Sequence, residues 1–322
     1  MMEGRIPENV QNRSVFREIK NKRNDVITGA SFGKDCAVLN YKEESEGAAC
    51  SQGEGLLGAK IALISACNSL WAAGFEPAHA ILSITLSEDF EESNLKILME
   101  TLEKAASGFG VDIVGVNTVV SGLVKSGCIV SATALGKKTD FEPKTAKSGD
   151  CIVASKWIGI EGSLILSQLK KSELEDRFKK SFLSYFEGYE DYLSVEKEAK
   201  KAISFGVGSM KSVSERGIFG ALWELAGING CGLKADIREI PVRQEVIEIC
   251  NYLDINPYEM KSSGMLLMVC KDGEELVKQL EEIGINASVI GEFTSDNDKV
   301  IINGEEKRFL DKIKQDSIYK IY

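Results

Sequence analysis

Histidine is almost missing from this chain of 322 residues, with His79 the single one. A Ser-His-Asp triad therefore has one candidate base, and no nucleophile motif accompanies it. Its setting, Pro77-Ala78-His79-Ala80-Ile81, reads as structural. Paired cysteine motifs are missing as well. The eight cysteines (Cys36, Cys50, Cys67, Cys128, Cys151, Cys231, Cys250 and Cys270) form no Cys-x-x-Cys, and most lie in apolar runs such as Gly127-Cys128-Ile129-Val130. They read as small buried thiols in a reducing cytosol, which excludes a disulfide framework or a zinc site. Basic charge is in deficit: 39 Lys and Arg against 49 Asp and Glu leave a net charge of −10. A nucleic-acid groove needs the opposite balance. The one basic stretch, Arg17–Arg23, reads as a solvated helix end. No apolar run of eighteen residues and no signal peptide stand out, so the expectation is a cytoplasmic protein with no membrane span.

What is present is ordinary globular material, 43% hydrophobic and 27% charged, enough for about two domains. Asp25–Ala30 and Cys36–Tyr41 are β-prone runs around Ser31-Phe32-Gly33-Lys34-Asp35. Leu56–Ala73 carries Ala, Leu and Ile at helical spacing and predicts a buried helix. Ile81–Leu86 reads as a strand. Leu95, Leu98, Met99, Leu102 and Ala106 make a helical stripe with Ser93 as N-cap and Gly108 as stop. Asp112–Val116 and Cys128–Leu135 alternate as strands. Lys137–Gly149, with Pro143 and several charges, is the linker candidate, giving expected domains at 1–140 and 148–322. Beyond it come a strand at Cys151–Ala154, a helix at Gly162–Leu169, and a charged helical region Lys171–Phe205 in which Ser194 caps Val195–Ser204. Helices at Gly217–Ala226, Pro241–Leu253 and Glu274–Ile283 then alternate with strands at Met265–Cys270, Ala287–Phe293 and Lys299–Ile302. Helices and strands mix without a regular βαβ rhythm, so the fold class is α+β in two domains.

Several motifs stand on this frame. Gly33-Lys34-Asp35-Cys36-Ala37-Val38 is a glycine turn with one carboxylate. Read by itself, Asp35 ends a hairpin. Cys67-Asn68-Ser69-Leu70-Trp71-Ala72-Ala73-Gly74-Phe75-Glu76-Pro77 is a helix C-terminus with Gly74 as its stop. Val114-Gly115-Val116-Asn117-Thr118 follows a strand. Gly159-Ile160-Glu161-Gly162-Ser163 is a glycine-lined turn before a helix. It offers N–H groups to an anion or serves as a plain strand–helix turn. Ser212-Val213-Ser214-Glu215-Arg216-Gly217 opens the segment Met210–Gly264.

Together these stretches resemble the aminoimidazole ribonucleotide synthetase-related (PurM-like) superfamily over nearly the whole chain. That group includes purine synthetases, hydrogenase-maturation dehydratases, thiamine-monophosphate kinases and selenophosphate synthetases. The resemblance implies an N-terminal α+β domain that binds ATP and pairs with its twin in a homodimer, followed by a C-terminal α+β domain. It also implies a small-molecule ligand, with neither nucleic acid nor membrane as partner. On its motifs, Asp35 holds Mg²⁺ against nucleotide phosphate, and Gly33, Asn68, Ser69, Asn117, Thr118, Gly159 and Gly162 line the ATP site.

Acids are missing where that family carries them. Ser69 stands for the Asp of its Asn-Asp signature, Asn117 for the ionisable residue of its Gly-Gly-Asp/His-Thr turn, and Ser212 for the Asp of its Asp-x-Thr-x-Gly-Gly turn. Cys50-Ser51-Gln52-Gly53 stands where relatives carry a Ser/Thr-Thr-Asp strand end, and Glu54, Glu161 and Glu215 are the acids placed to substitute. A charge pair at about 4 Å is worth roughly 4 kcal/mol at an effective dielectric of about 20. Losing about a third of that at two sites weakens metal affinity about a hundredfold. Metals carry much of the charge stabilisation in phosphoryl transfer, so catalysis suffers more than binding. The terminal Asp316–Tyr322 carries no cysteine of the kind the hydrogenase-maturation branch uses, and the first cysteine, Cys36, falls inside a predicted strand where the resemblance to selenophosphate synthetases would ask for a reactive one in a Gly-rich N-terminal segment. Two readings follow: an ATP-binding member with weak or altered ATP-dependent activity on an unknown small molecule or maturation substrate, or a degenerate dimeric binding or regulatory protein. An unrelated α+β enzyme using His79 or a cysteine is the third and weakest.

Overall fold

The computed structural model describes residues 8, 9, 12, 26–28, 33, 34, 36–41 and 44–321. Asp35 and the basic stretch Arg17–Arg23 lie outside the described residues. The described residues form two compact units, the first of 26–28 and residues from 36 to 140, the second of 8, 9, 12, 33, 34 and 141–321. Each is a layered α+β body.

In the first unit the described strands are β1 (Val26–Thr28), β2 (Ala37–Tyr41), β3 (Glu44–Glu54), β4 (Phe75–Leu86), β5 (Asp112–Val120) and β6 (Cys128–Lys138). They make a sheet in the order β1-β2-β3-β6-β4-β5, antiparallel except for the β4–β5 pair. Period-2 alternation decides its faces. On β6, Cys128, Val130, Ala132 and Ala134 are buried, while Ile129, Ser131, Thr133 and Leu135 are half-buried on the other side. On β4, Ala80, Leu82, Ile84 and Leu86 join the same covered face. The helices Gly55–Ala72 and Glu92–Gly108 supply the cover, through Ala59, Ala62, Leu63, Ala66 and Leu70 of the first and Leu98, Leu102 and Ala106 of the second. Each fully buried leucine contributes roughly 1.5–3 kcal/mol. Alanine on both surfaces lets the first helix lie close to the sheet. At its entry a Cβ on Gly53 would fall 1.9 Å from the Gly58 carbonyl oxygen, so glycine is required there.

The helix Gly55–Ala72 corrects one expectation. Its eighteen residues are apolar enough, by length and composition, to cross a membrane. Burial of Leu63, Cys67 and Leu70 against the sheet identifies it as the core helix of this unit.

In the second unit β7 (Cys151–Ser155), β8 (Ser209–Ser212), β9 (Gly232–Asp236), β10 (Leu266–Cys270), β11 (Ala287–Thr294), β12 (Lys299–Asn303) and β13 (Glu306–Phe309) form a sheet in the order β13-β12-β9-β11-β7-β10-β8. Only β12 and β9 run parallel. The helix Gly217–Asn229 is apolar nearly all round and sits in the core with Phe219, Leu222 and Leu225 fully buried.

The long strand β3 and the edge strand β13 went unread in the sequence, because Glu44–Glu54 and Glu306–Phe309 carry polar residues on exposed faces. Two expected caps shift. The second helix starts at Glu92 with Glu91 at its N-cap, and the Ser93 hydroxyl donates to the Glu91 carboxylate at 3.2 Å. Val195 holds the N-cap position of the helix Glu196–Phe205, although the Ser194 hydroxyl still accepts from the Glu196 N–H at 3.2 Å. The helix expected from Pro241 begins at Gln244.

Candidate functional site

The strand register assembles a row that the sequence scatters. Gln52 on β3 faces Ser131 on β6, Ser131 faces Ser83 on β4, and Ser83 faces Asn117 on β5. All four belong to the uncovered face, since their strand neighbours Gly53, Val130, Ala132, Leu82 and Ile84 turn the other way. The Ser131 hydroxyl donates to Gln52 Oε1 at 3.3 Å. Strands lie about 4.8 Å apart, so the row spans roughly 14 Å from Gln52 to Asn117. It is polar and carries no charge.

The remaining motif positions of this unit do not join the row. Thr118 alternates to the opposite face from Asn117 on the edge strand β5. Asn68 is fully buried in the core helix, on the covered side of the sheet, and Ser69 beside it is half-buried. Gly74 ends that helix with φ +81°, and its carbonyl accepts from both the N–H and the hydroxyl of Thr139, at 2.9 and 2.7 Å. Glu54 is exposed at the end of β3, two residues beyond Gln52, and is the carboxylate nearest the row along that strand. Cys50 is an exposed thiol one row away, opposite Thr133, and His79 is exposed opposite Leu135 and Asp112. Strand β6 separates Cys50 from His79 by about 10 Å, so they form no nucleophile–base pair.

The second unit gathers charge instead. Gly33 belongs to it, in a left-handed conformation (φ +79°) where an added Cβ would lie 3.4 Å from Ile228 and 3.9 Å from Glu224. Glu224 is buried and paired with Lys211 at 3.0 Å. Both glycine donors of the Gly159–Gly162 turn are engaged within the domain: the Gly159 N–H donates to Ser262 Oγ at 2.8 Å and the Gly162 N–H to the Lys261 carbonyl at 2.9 Å. Side chains at either glycine would run into Met260. The Glu161 carboxylate accepts from the Ser263 N–H at 3.1 Å, which ties the turn to Lys261–Gly264.

Ser212 is buried at the end of β8, and a carboxylate from outside the turn meets the residues that follow it. Arg216 and Gly217 are successive left-handed residues (φ +70° and +59°), and the Arg216 N–H donates to Asp316 Oδ2 at 2.6 Å. Asp316 Oδ1 accepts from the Ile318 N–H at 3.0 Å, capping the short helix Ser317–Lys320. Burial pushes the Asp316 carboxyl up to about 7 against these two N–H donors. Burial works to lower Lys261, but the charges of Glu161, Tyr319, Glu215 and Asp316 outweigh it and hold the ammonium above its ordinary range. Burial also raises the Tyr319 hydroxyl to about 12. Asp316 and Lys261 escaped the sequence reading because nothing local marks them, and Asp316 reaches Arg216 across a hundred residues.

A magnesium ion asks for oxygen ligands that include one or two carboxylates. Among the described residues no three His, Cys, Asp or Glu side chains come together to hold a metal. The described residues alone do not fit the ion, and the neutral row suits a hydrogen-bonding ligand.

Residues 33–137 match the family model for the AIR synthase related protein N-terminal domain, and residues 147–303 match the model for its C-terminal domain. The carbamoyl dehydratase HypE of Cupriavidus necator is 26% identical over 71% of this chain, which covers 65% of that protein. A crystal structure of the hydrogenase maturation protein HypE in complex with ATP superposes with a TM-score of 0.72 at 18% identity, covering 98% of this chain and 97% of that one. Thiamine monophosphate kinase from Aquifex aeolicus gives a TM-score of 0.66 at 17% identity, over 86% and 94% of the two chains. The two family models together span most of the sequence in the order in which its two α+β units occur, and the chain belongs to the AIR synthase related proteins.

Proposed function

We propose that this protein binds ATP through its N-terminal unit and carries weak or altered ATP-dependent chemistry on a small molecule or maturation substrate. The observation behind the reading is the row Gln52–Ser131–Ser83–Asn117, a continuous line of donors and acceptors on an open sheet face with no carboxylate in it. Bound ATP would supply the phosphoryl group. The row would orient a ligand by hydrogen bonds, and Asp35 is the one carboxylate assigned to Mg²⁺. Neutral contacts preserve recognition but stabilise developing charge poorly, which lowers turnover more than affinity. We also propose that two copies pair through the N-terminal unit. The alternative, a degenerate protein that only binds, draws on the same missing charge.

Calorimetric titration of the parent protein and of Asp35→Ala with Mg-ATP separates these readings from error. Heat in the parent that weakens at least tenfold in Asp35→Ala is the expected result. No heat at millimolar nucleotide sinks the ATP reading. Ser69→Asp with Asn117→Asp then asks about activity: ATP hydrolysis emerging from a silent background favours degeneration, and basal hydrolysis in the parent favours the active reading.

A further inference from the structure

The β7–β10 pairing sets two cysteines directly opposite one another. In that antiparallel register Cys151 faces Cys270, and residues opposed across a ladder put their side chains on the same side of the sheet. Opposed Cα atoms lie about 4.5 or 5.5 Å apart, and a disulfide spans about 4.4–6.8 Å between them, so the backbone already holds the spacing. Both sulfurs lie against one turn. Cys151 Sγ reaches the Lys271 carbonyl at 3.7 Å, and a Cβ added at Gly273 would fall 3.3 Å from it. The Cys270 sulfur takes a hydrogen bond from the Asp272 backbone. No other pairing of the described strands opposes two cysteines: Cys50 faces Thr133 and Cys128 faces Leu86.

The two thiols differ in access. Cys151 is half-buried, while Cys270 is only 7% exposed. Burial, with Cys151, Asp272 and Asp150 close by, pushes the Cys270 thiol up to about 12, so it does not meet an oxidant as a thiolate. We propose that Cys151 and Cys270 are a reversible redox pair, closed into a disulfide by a peroxide such as hydrogen peroxide. The Cys151 sulfur attacks the peroxide, an S–O bond forms as the O–O bond breaks, and one water leaves. The Cys270 sulfur then attacks the Cys151 sulfur. The S–S bond forms, the S–O bond breaks, and the hydroxyl leaves with the Cys270 proton as a second water. The thiols lose two electrons and the peroxide gains them. At pH 7 about one Cys270 sulfur in 10⁵ is ionised, which slows the second step. Fixed opposition of the two residues supplies an effective concentration of about 10⁵ M or more, enough to offset it. A link that forms and reverses in this way suits a compartment where thiols otherwise stay reduced. It staples two strands whose other ends join the Gly159–Gly162 turn and Lys261–Gly264. The pair is independent of the neutral row and of the nucleotide reading.

The test uses the full chain in a Cys50→Ser background, which removes an exposed thiol. The folded protein is treated with hydrogen peroxide, remaining thiols are alkylated before and after unfolding, and digests are read by mass spectrometry. A linked Cys151–Cys270 peptide is expected as the main product, reversed by dithiothreitol, with a urea midpoint above that of the reduced chain. Cys270→Ala should stop Cys151 at the sulfenic acid, trapped by dimedone at least tenfold more than in the parent. Cys151→Ala should leave Cys270 unoxidised. Three results would each overturn the proposal: Cys151 carried to the sulfinic acid with Cys270 still free, a dominant link from Cys151 to any other cysteine, or a Cys151–Cys270 link that forms only in urea.

Discussion

The two units treat polar groups in opposite ways. The N-terminal unit displays Gln52, Ser131, Ser83 and Asn117 on an exposed face, uncharged and loosely bonded. The C-terminal unit buries Lys156 with Glu198 and Lys211 with Glu224 as ion pairs, and buries Asp316 where its carboxylate accepts from the Arg216 N–H. An exposed position tolerates loss of a carboxylate, because water solvates whatever replaces it. A buried ion cannot lose its partner without leaving a charge in low dielectric. An acid on that face can therefore be lost while the fold persists. In the second unit the buried paired charges are also structural members.

Lys156 is where that contrast should be largest. It is buried in a left-handed conformation (φ +56°), paired with Glu198 at 2.6 Å, and it donates to the carbonyls of Tyr192, Ser194 and Gly264. Lys156→Ala leaves the buried Glu198 carboxylate with the Ser155 hydroxyl but no countercharge and takes a donor from three carbonyls, at a cost of about 3–5 kcal/mol in stability, read by urea unfolding. The double variant Lys156→Met/Glu198→Leu should recover part of it. A single-variant loss below about 1 kcal/mol would break the comparison between the units.

Asp316 gives the next effect, and its sign follows from burial. Its folded value of about 7 lies above the ordinary 3.8, so the unfolded chain releases the proton first. Stability from this group is present below about pH 4 and is lost as pH rises toward 7, by at most about 4 kcal/mol. Glu215, Arg216, Lys261 and Tyr319 share the cluster and set the depth of that fall. Asp316→Asn should flatten the slope of melting temperature between pH 4 and 7. An unchanged slope would place the titration elsewhere.

Smaller again is the effect at the Gly159–Gly162 turn. Gly162→Ala puts a Cβ 2.4 Å from Met260 Cγ, an overpacking that costs about 1–3 kcal/mol. Met260→Ala in the same chain should relieve the clash, read as partial recovery of the urea midpoint. If Gly162→Ala weakens nucleotide binding with no loss of stability, the turn serves the ligand and not the packing.

What was legible in the sequence divides along the same line. The turn glycines Gly74 and Gly217, the apolar helix Gly55–Ala72 and the two-unit α+β order are local signals, written in spacing and in residues that tolerate positive φ. The row was not legible. Gln52 meets Ser131 across 79 positions, and only strand pairing fixes which residues share a line. Asn68 and Asn117 looked equivalent as motif positions, yet the sheet puts one in the core and the other in the open. Asp316 meets the Arg216 N–H across a hundred positions, a contact no window of sequence can display.

The row itself should give the smallest stability effect. Gln52→Ala and Asn117→Ala replace exposed groups whose backbones stay paired in the sheet, so each should change stability by no more than about 0.5 kcal/mol. With three strand spacings, roughly 14 Å, between them, their effects should also add to within about 0.5 kcal/mol in the double variant. Ligand affinity is the measurement that can separate role from structure here. If the row orients a ligand as a unit, the two substitutions weaken Mg-ATP binding by clearly non-additive factors while unfolding energies remain additive. Additive losses in both would make the four residues independent surface positions and leave the N-terminal unit without a site on that face.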